Sequence, residues 1–160
     1  MLPIVDKPVI QYVVEEAYAS GIKDVIIITG KQKRAIEDHF DYSHDLERFL
    51  QANGKTKELQ EIRKITKLAN FIYIRQNGES YGNAVPILAA KSVVGKEPFA
   101  VLWGDEFITA HPPRLAQMIK VYKKYKGAVI SAVRIETKDN LSRYGIAQIK
   151  KVGKNVSRIR

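Results

Sequence analysis

The chain has 160 residues, no cysteine and a formal net charge of +10 at pH 7. Its 45% apolar and 28% charged residues are typical of a globular domain with a hydrophobic core rather than of a disordered chain. The composition excludes disulfides and thiolate metal sites, and no apolar run reaches the roughly 20 residues that a membrane-spanning helix needs. We therefore expect a single cytoplasmic domain over residues 1–160, with no membrane segment.

The first elements in chain order are a helix, a buried strand and a long helical region. Residues 8–20 carry a helical pattern, for which Asp6 is a candidate N-cap and Gly21 a stop signal. The run VIIIT at 25–29 is apolar and rich in β-branched residues, which indicates a strand buried on both faces, as in a parallel sheet. Residues 34–70 are polar and contain three segments with helical periodicity. The apolar face of the first helix consists of Ile10, Val13, Val14 and Ala17.

Strands and helices continue to alternate in the second half of the chain. This alternation predicts an α/β fold in which right-handed crossovers build a mostly parallel sheet with helices on both faces. In such sheets, ligands bind beyond the carboxyl ends of the strands, so candidate site residues are sought there. We expect strands at 71–75, 99–103, 128–135 and 144–152, and helices at 81–94 and 112–125.

A pair of carboxylates follows the predicted strand at 99–103. In FAVLWGDEF, Asp105 and Glu106 come directly after a glycine at the strand end. Carboxylate oxygens in this position suit Mg²⁺, which usually takes one or two carboxylates and completes its shell with substrate phosphates. The alternative is that Asp105 belongs to an ordinary Gly-Asp turn.

Two further loops carry candidate binding residues. In IRQNGESYGNAV, Gln76 comes directly after the predicted strand at 71–75. Its side-chain amide both donates and accepts hydrogen bonds, as recognition of a base edge requires. Gly82 at the following helix entry lets a ligand approach the backbone, and Gly145 in RYGIA leaves space for a ligand before a strand. The alternatives are an ordinary strand–helix loop for Gln76 and Gly82 and a strand-start turn for Gly145.

The positive charge and the missing motifs limit the possible functions. A charge of +10 suits a nucleic-acid surface, a site for anionic small molecules or simply solvated faces. No base-reading motif occurs in the sequence, so we do not expect a nucleic-acid partner. The P-loop and the G-x-G-x-x-G fingerprint do not occur in the sequence, and the three histidines lack metal-ligand spacing.

Several motifs occur in the order found in a known family. MLPIVDKPVIQYVVEEA, IRQNGESYGNAV, FAVLWGDEF and YGIA resemble, over essentially the whole chain, those of sugar-phosphate nucleotidyltransferases, and most closely the bacterial UTP–glucose-1-phosphate uridylyltransferases. The resemblance implies a Rossmann-like, GT-A-type fold and transfer of a uridylyl group from UTP to glucose 1-phosphate, with Mg²⁺ and release of pyrophosphate. It also implies that Asp105 holds Mg²⁺, that Gln76 and the Gly82 backbone contact uracil, that Gly145 lies against glucose, and that the protein forms a homo-oligomer.

The resemblance further implies that the chain is truncated at both ends. In the family a G-x-G-T-R loop and a Lys precede the MLP motif, and a V-E-K-P-like motif and a second metal-binding Asp follow the position of Gly145; residues 1–160 contain none of these. The phosphate-loop Arg and Lys of the family would thus lie before Met1, and we expect this chain alone to have little or no uridylyltransferase activity. The alternatives are a thymidylyltransferase acting on dTTP and glucose 1-phosphate, a non-catalytic domain of the same fold and, from charge alone, a nucleic-acid binder.

Overall fold

The structure, a computed structural model, describes residues 1, 3–78, 82–135 and 144–159. The chain divides into two units, Met1–Leu115 and Ala116–Arg160. Within the described ranges, no helix has the length and apolar character needed to cross a bilayer.

A short β-hairpin precedes the first helix. The strands β1 (Pro3–Ile4) and β2 (Lys7–Pro8) pair antiparallel, with Val5 and Asp6 between them as a two-residue turn. Val5 has a φ of 60°, which β-branched residues rarely adopt, and it is 95% exposed. The N-cap expected at Asp6 is wrong, because the hairpin places Asp6 in its turn and the helix begins only after the extended backbone of Pro8.

The helix α1 (Val9–Ala19) ends at the predicted glycine. Gly21 has a φ of 86°, and its N–H donates to the carbonyl of Tyr18 at 2.9 Å. The N–H of Ile22 donates to the carbonyl of Ala17 at 3.1 Å. This pair of bonds is the Schellman arrangement, in which a residue of positive φ stops a helix and satisfies its last carbonyls. Gly21 is therefore confirmed as the stop signal.

Two parallel strands follow the predicted positions closely. The strands β3 (Asp24–Thr29) and β4 (Asn70–Arg75) pair in register along their whole length. At their amino ends, the N–H of Asn70 donates to the carbonyl of Lys23 at 2.8 Å, and the Asn70 side-chain amide donates to Asp24 Oδ1 at 2.9 Å. These bonds hold the register from the first rung of the ladder.

Three helices connect the two parallel strands, as the periodicity of residues 34–70 predicts. They are α2 (Arg34–Phe40), α3 (His44–Ala52) and α4 (Thr56–Ile65). Arg63 on α4 forms an ion pair with Glu47 on α3, with 2.7 Å between Nη2 and Oε2. Since Glu47 is largely buried there, this pair helps to set how α3 and α4 pack.

The core of the first unit lies where α1 and α2 cover β3. It centres on Val14, Ile27 and Phe40, and the Phe40 ring stacks on Phe71 of β4 with 4.7 Å between the ring centroids. The α1 residues predicted to face inward are buried or half-buried, so the predicted face is confirmed. The half-buried side chains packed against this centre are Ile10, Val25, Ile36, Ile65, Leu68 and Phe71.

The predicted helix over 81–94 is divided. It consists of α5 (Ala84–Ala89) and α6 (Lys91–Val94), separated at Ala90, and residues 79–81 lie outside the described part of the chain. The N–H of Ala90 bonds to two carbonyls of the last turn of α5, so the chain turns there without a long loop. The helix begins later than expected, after Gly82.

The strand predicted at 99–103 is not formed. None of these residues joins a strand ladder, and Phe99, Val101 and Trp103 are 60%, 47% and 39% exposed. The run is apolar enough for a buried strand, but a strand also needs a neighbouring backbone edge for its hydrogen bonds. Among the described residues, none pairs its backbone with this run.

The remaining elements fit the predictions only in part. The helix α7 (Arg114–Tyr125) matches the predicted helix at 112–125. In the second unit, β5 (Ile149–Lys151) and β6 (Ser157–Ile159) form an antiparallel hairpin, which occupies only the end of the strand predicted at 144–152. Residues 128–135 form no strand, again because no described residue pairs with them.

Candidate active site

Gln76 lies directly beyond the carboxyl end of β4. Its backbone N–H donates to the carbonyl of Thr29, the last residue of β3, at 2.8 Å. This bond continues the parallel ladder by one rung and fixes the Gln76 backbone at the edge where ligands bind in such sheets. The structure places Gln76 at a strand end, as the sequence indicates; its contact with a base stays a prediction.

Gly82 presents an open backbone before α5. Its φ is 126°, a conformation that favours glycine, and an added Cβ would meet nothing within 4 Å. Its carbonyl accepts the N–H of Val85 at 3.2 Å, so Gly82 is tied to the first turn of the helix. A ligand is therefore free to approach the backbone at this point.

Asp105 lies in an exposed turn that is held against α1. The N–H of Glu106 donates to the carbonyl of Trp103 at 3.3 Å, which closes the turn around Gly104 and Asp105. A Cβ on Gly104 would lie 2.9 Å from Cδ1 of Ile10 in α1, so the turn packs closely against that side chain, which would have to shift for a larger residue. Asp105 thus belongs to a turn and also presents an exposed carboxylate. The turn and a role as a metal ligand are therefore compatible.

Tyr12 on α1 holds the segment that follows Asp105. Its ring stacks on that of Phe107, with 4.9 Å between the centroids and 24° between the planes. On the hairpin side, Nζ of Lys7 lies 4.5 Å from the centre of the Tyr12 ring, and the Tyr12 hydroxyl donates to the carbonyl of Ile4 at 3.2 Å. The hairpin, α1 and the Asp105 turn are therefore packed as one group.

This packing puts Asp105 at the same edge of the first unit as Gln76. Only residues 20–23 connect α1 to β3, so helix and strand run in opposite directions and the first turns of α1 lie near the carboxyl end of β3. Those first turns contact Gly104 and Phe107, on either side of Asp105. The structure thus brings Asp105 and Gln76 to the edge at which the parallel strands end.

A chain of hydrogen bonds runs along α1 beside this edge. Nζ of Lys7 pairs with Oε2 of Glu15 at 2.7 Å, and this hydrogen bond raises the pKa of Lys7 above its ordinary value. Glu15 also accepts from Nε2 of Gln11 at 2.9 Å, and Oε1 of Gln11 lies 2.9 Å from Nε2 of His39. Because that oxygen accepts, His39 carries its hydrogen on Nε2, and burial lowers the pKa of His39.

Sequence reasoning did not single out Lys7, Tyr12 or Glu15. The four-residue spacing of Gln11 and Glu15 places them on one helix face, which was an available signal. The contact of Lys7 with that face depends on the hairpin turn at Val5, which no local pattern indicates.

Gly145 lies in the unit Ala116–Arg160 and is exposed. An added Cβ would meet nothing within 4 Å, so space is open on that side of the backbone. Its proposed neighbour, the glucose, stays a prediction.

The metal-binding capacity of the edge rests on few donors. In the part of the chain that the structure describes, no group of three or more histidine, aspartate or glutamate side chains is placed to hold a metal ion. Asp105 and Glu106 are exposed neighbours with oxygen donors only. This donor set fits Mg²⁺ if phosphate oxygens and water complete the shell, which is the usual arrangement for that ion.

Comparison with known proteins identifies the family and the relatives of this chain. Residues 1–160 match the family profile described as nucleotidyl transferase. The UTP–glucose-1-phosphate uridylyltransferase of Bacillus subtilis (strain 168) is 49% identical over 146 residues, which are 91% of this chain and 49% of that protein. The chain therefore spans about half the length of the curated relatives it matches.

Solved structures give the same result for the fold. The apo form of a UDP-glucose pyrophosphorylase is 37% identical, with a TM-score of 0.89 over 99% of this chain and 58% of that chain. A UDP-glucose pyrophosphorylase complexed with UDP-glucose is 37% identical, with a TM-score of 0.81 over 99% of this chain and 57% of that chain. These matches confirm the nucleotidyltransferase fold predicted from the motifs, in a family whose enzymes generally use a divalent metal. Together with the profile they show that the chain belongs to the nucleotidyl transferase family.

Proposed function

We propose that this protein transfers a uridylyl group from UTP to glucose 1-phosphate. A phosphate oxygen of glucose 1-phosphate forms a bond to the α-phosphorus of UTP, the bond from that phosphorus to the bridging oxygen breaks, and pyrophosphate leaves with the electron pair. The proposal is supported by the name of the Bacillus subtilis relative and by the UDP-glucose in a related structure.

The observation that carries the proposal is the placement of Gln76 and Asp105 at one edge. The bond from Gln76 N–H to the Thr29 carbonyl leaves the side-chain amide to face a ligand from a rigid backbone. That amide donates to a uracil carbonyl and accepts from the uracil N3–H, a pairing that a carboxylate or a hydrocarbon side chain cannot provide. The open backbone of Gly82 follows in the same loop and contacts the same base.

Asp105 has the second role in this proposal. Its carboxylate holds Mg²⁺, which, when bound, neutralises charge on the phosphates of UTP. Catalysis is then mostly a matter of positioning the two substrates and stabilising the charge on the leaving pyrophosphate. The stack of Tyr12 on Phe107 holds the segment that follows Asp105. Gly145 contacts glucose, as its family motif implies.

The proposal is tested with a chimera, because the chain spans about half of its relatives. In the Bacillus subtilis enzyme, the 146 matched residues are replaced by those of this chain, and pyrophosphate release is followed with UTP and glucose 1-phosphate. The chimera is expected to turn over, with a clear preference for UTP over dTTP.

The same assay on this chain alone measures the turnover that residues 1–160 support by themselves, and little or no turnover is expected. A folded chimera that is inactive, or that prefers dTTP, contradicts the proposal. The second result supports thymidylyl transfer instead.

A further inference from the structure

A basic cleft lies at the opposite edge of the first unit from Gln76. It measures about 520 Å³ and is formed by the end of α1, by α4 and by the turn that leads from α4 into β4. That turn precedes the amino end of β4, whereas Gln76 follows its carboxyl end, so about 20 Å of strand separate the two places. The cleft is lined by Tyr18, Gln60, Arg63, Lys64, Lys67 and Leu68.

The charge of this cleft is one-sided. Of the described residues that line it, three are cationic and none is acidic. Arg63 is partly neutralised, because its Nε and Nη2 both donate to Oε2 of Glu47. Lys64 and Lys67 are exposed, and no described carboxylate forms an ion pair with either. The wall therefore carries at least two uncompensated ammonium groups.

Helix electrostatics account for only part of this arrangement. Arg63 and Lys64 lie in the last turn of α4, where cations complement the helix dipole. Lys67 lies beyond the helix, and Tyr18 belongs to α1. The Tyr18 side chain is 58% exposed beside these cations, although it is large and mostly apolar.

We propose that this cleft binds a nucleoside polyphosphate at a second site, separate from the candidate active site. The exposed ring of Tyr18 offers a face on which a base stacks, while Lys64 and Lys67 pair with phosphate oxygens. The volume of about 520 Å³ lies within the range of small-molecule sites. Each contact is solvent-exposed, so binding is weak and depends on salt.

The test uses ADP as the probe, because an adenine base is not the one that Gln76 is proposed to read. Binding to the chain is followed by ¹H–¹⁵N NMR, which reports separately on the amides of Lys64, Lys67 and Leu68 and on that of Gln76. Millimolar ADP is expected to shift the first three and not the last.

Matched variants separate the site from general charge attraction. The double variant Lys64→Gln/Lys67→Gln is expected to weaken ADP binding about fivefold or more. Lys55→Gln/Lys57→Gln removes the same charge at the other end of α4, outside the cleft, and is expected to change binding less than about twofold. Tyr18→Leu is expected to weaken ADP binding while leaving the weaker binding of pyrophosphate unchanged.

Several outcomes overturn the proposal. Equal losses in the two double variants show attraction by net charge alone. Pyrophosphate that binds as tightly as ADP, with no effect of Tyr18→Leu, shows that no base is bound. Loss of ADP binding in Gln76→Leu places the ADP in the candidate active site. Failure of uridylyl transfer in the chimera leaves this test unaffected, since it does not use that reaction.

Discussion

The rings of Tyr12 and Phe107 stack with 4.9 Å between their centroids, and this contact ties α1 to the segment that carries Asp105. Gly104 adds a second contact, against Ile10 of the same helix. The carboxylate proposed to hold Mg²⁺ therefore takes its position from the first helix, because the run before it forms no strand.

We expect Tyr12→Leu to reduce turnover of the chimera more than Tyr12→Phe does. Leucine removes the ring that stacks on Phe107, whereas phenylalanine removes only the hydroxyl that donates to Ile4. Loss of an aromatic pair lowers the free energy of unfolding by about 0.5–1.5 kcal/mol beyond the lost burial. Urea unfolding and kcat measure the two effects, and equal kcat values in the two variants contradict a positioning role for the stack.

We expect Gln76→Leu to lower kcat/KM for UTP in the chimera by about 5- to 150-fold, since the one or two hydrogen bonds proposed to the base are lost at roughly 1–1.5 kcal/mol each. Its exposed neighbour Asn77 provides the control, and Asn77→Leu is expected to change kcat/KM less than about twofold. If both variants behave alike, Gln76 does not read the base.

The sequence predicts those elements whose cause is local. The apolar face of α1, the stop at Gly21 and the β-branched run of β3 each depend on residues close to one another, and the structure has all of them. The strand predicted at 99–103 is not formed, because strand formation there depends on a distant partner. An apolar run indicates that a segment can be buried, but not which backbone edge is available to pair with it.

The same difference between local and long-range causes applies to the candidate site. The sequence indicates that Gln76 and Asp105 follow predicted strands, but not that Tyr12 and Phe107 hold the Asp105 turn. The hairpin was missed because its turn places Val5 at a φ that its residue type disfavours. Contacts that depend on such a turn are set by packing, and packing cannot be read from periodicity.

We expect Glu16→Ala to be among the most destabilising single changes in the first unit. The buried Glu16 carboxylate accepts the backbone N–H of Leu115 at 2.8 Å and Nη2 of Arg114 at 3.2 Å. Alanine leaves a largely buried guanidinium unpaired, at a cost of about 3–5 kcal/mol. Urea unfolding followed by the fluorescence of Trp103 measures this loss.

The exposed Glu61 on α4 is the control for Glu16. Glu61→Ala is expected to change the free energy of unfolding by less than about 0.5 kcal/mol. A Glu16→Ala loss no larger than that of Glu61→Ala shows that the contact with Arg114 and Leu115 is not a stabilising one.

We expect the free energy of unfolding to fall as the pH is lowered from about 7.5 towards 5.5. Burial holds the pKa of His39 in the folded chain below its ordinary value of 6.5. Between these two pKa values the unfolded chain binds the proton and the folded chain does not, so acid favours unfolding. One such group gives a slope of at most about 1.4 kcal/mol per pH unit.

Two variants test whether His39 causes this dependence of stability on pH. His39→Gln is expected to reduce it while still offering a donor to Gln11, whereas the exposed His44, changed to Gln, is expected to leave it in place. The assignment is wrong if stability stays constant over this range, or if the slope is the same in His39→Gln as in the original chain.

We expect Val5→Gly to stabilise the chain by about 1 kcal/mol. Val5 is 95% exposed, so its side chain contributes little packing, and glycine adopts the φ of 60° without strain. The free energy of unfolding from urea titration measures the gain. Val101, which is also exposed but has no positive φ, is the control, and Val101→Gly is expected to be neutral or destabilising. No gain in Val5→Gly means that the turn is not strained.

The long connection between the parallel strands has a consequence for how the chain folds. Pairing β3 with β4 closes a loop over residues 30–69, at an entropic cost of about 3 kcal/mol. The helices α2, α3 and α4 inside that loop depend on local contacts and form on a faster timescale. The bond from Gln76 to Thr29 is the last rung of the ladder, so in refolding the backbone of Gln76 is fixed by the closure of this loop rather than by the early gain of helix.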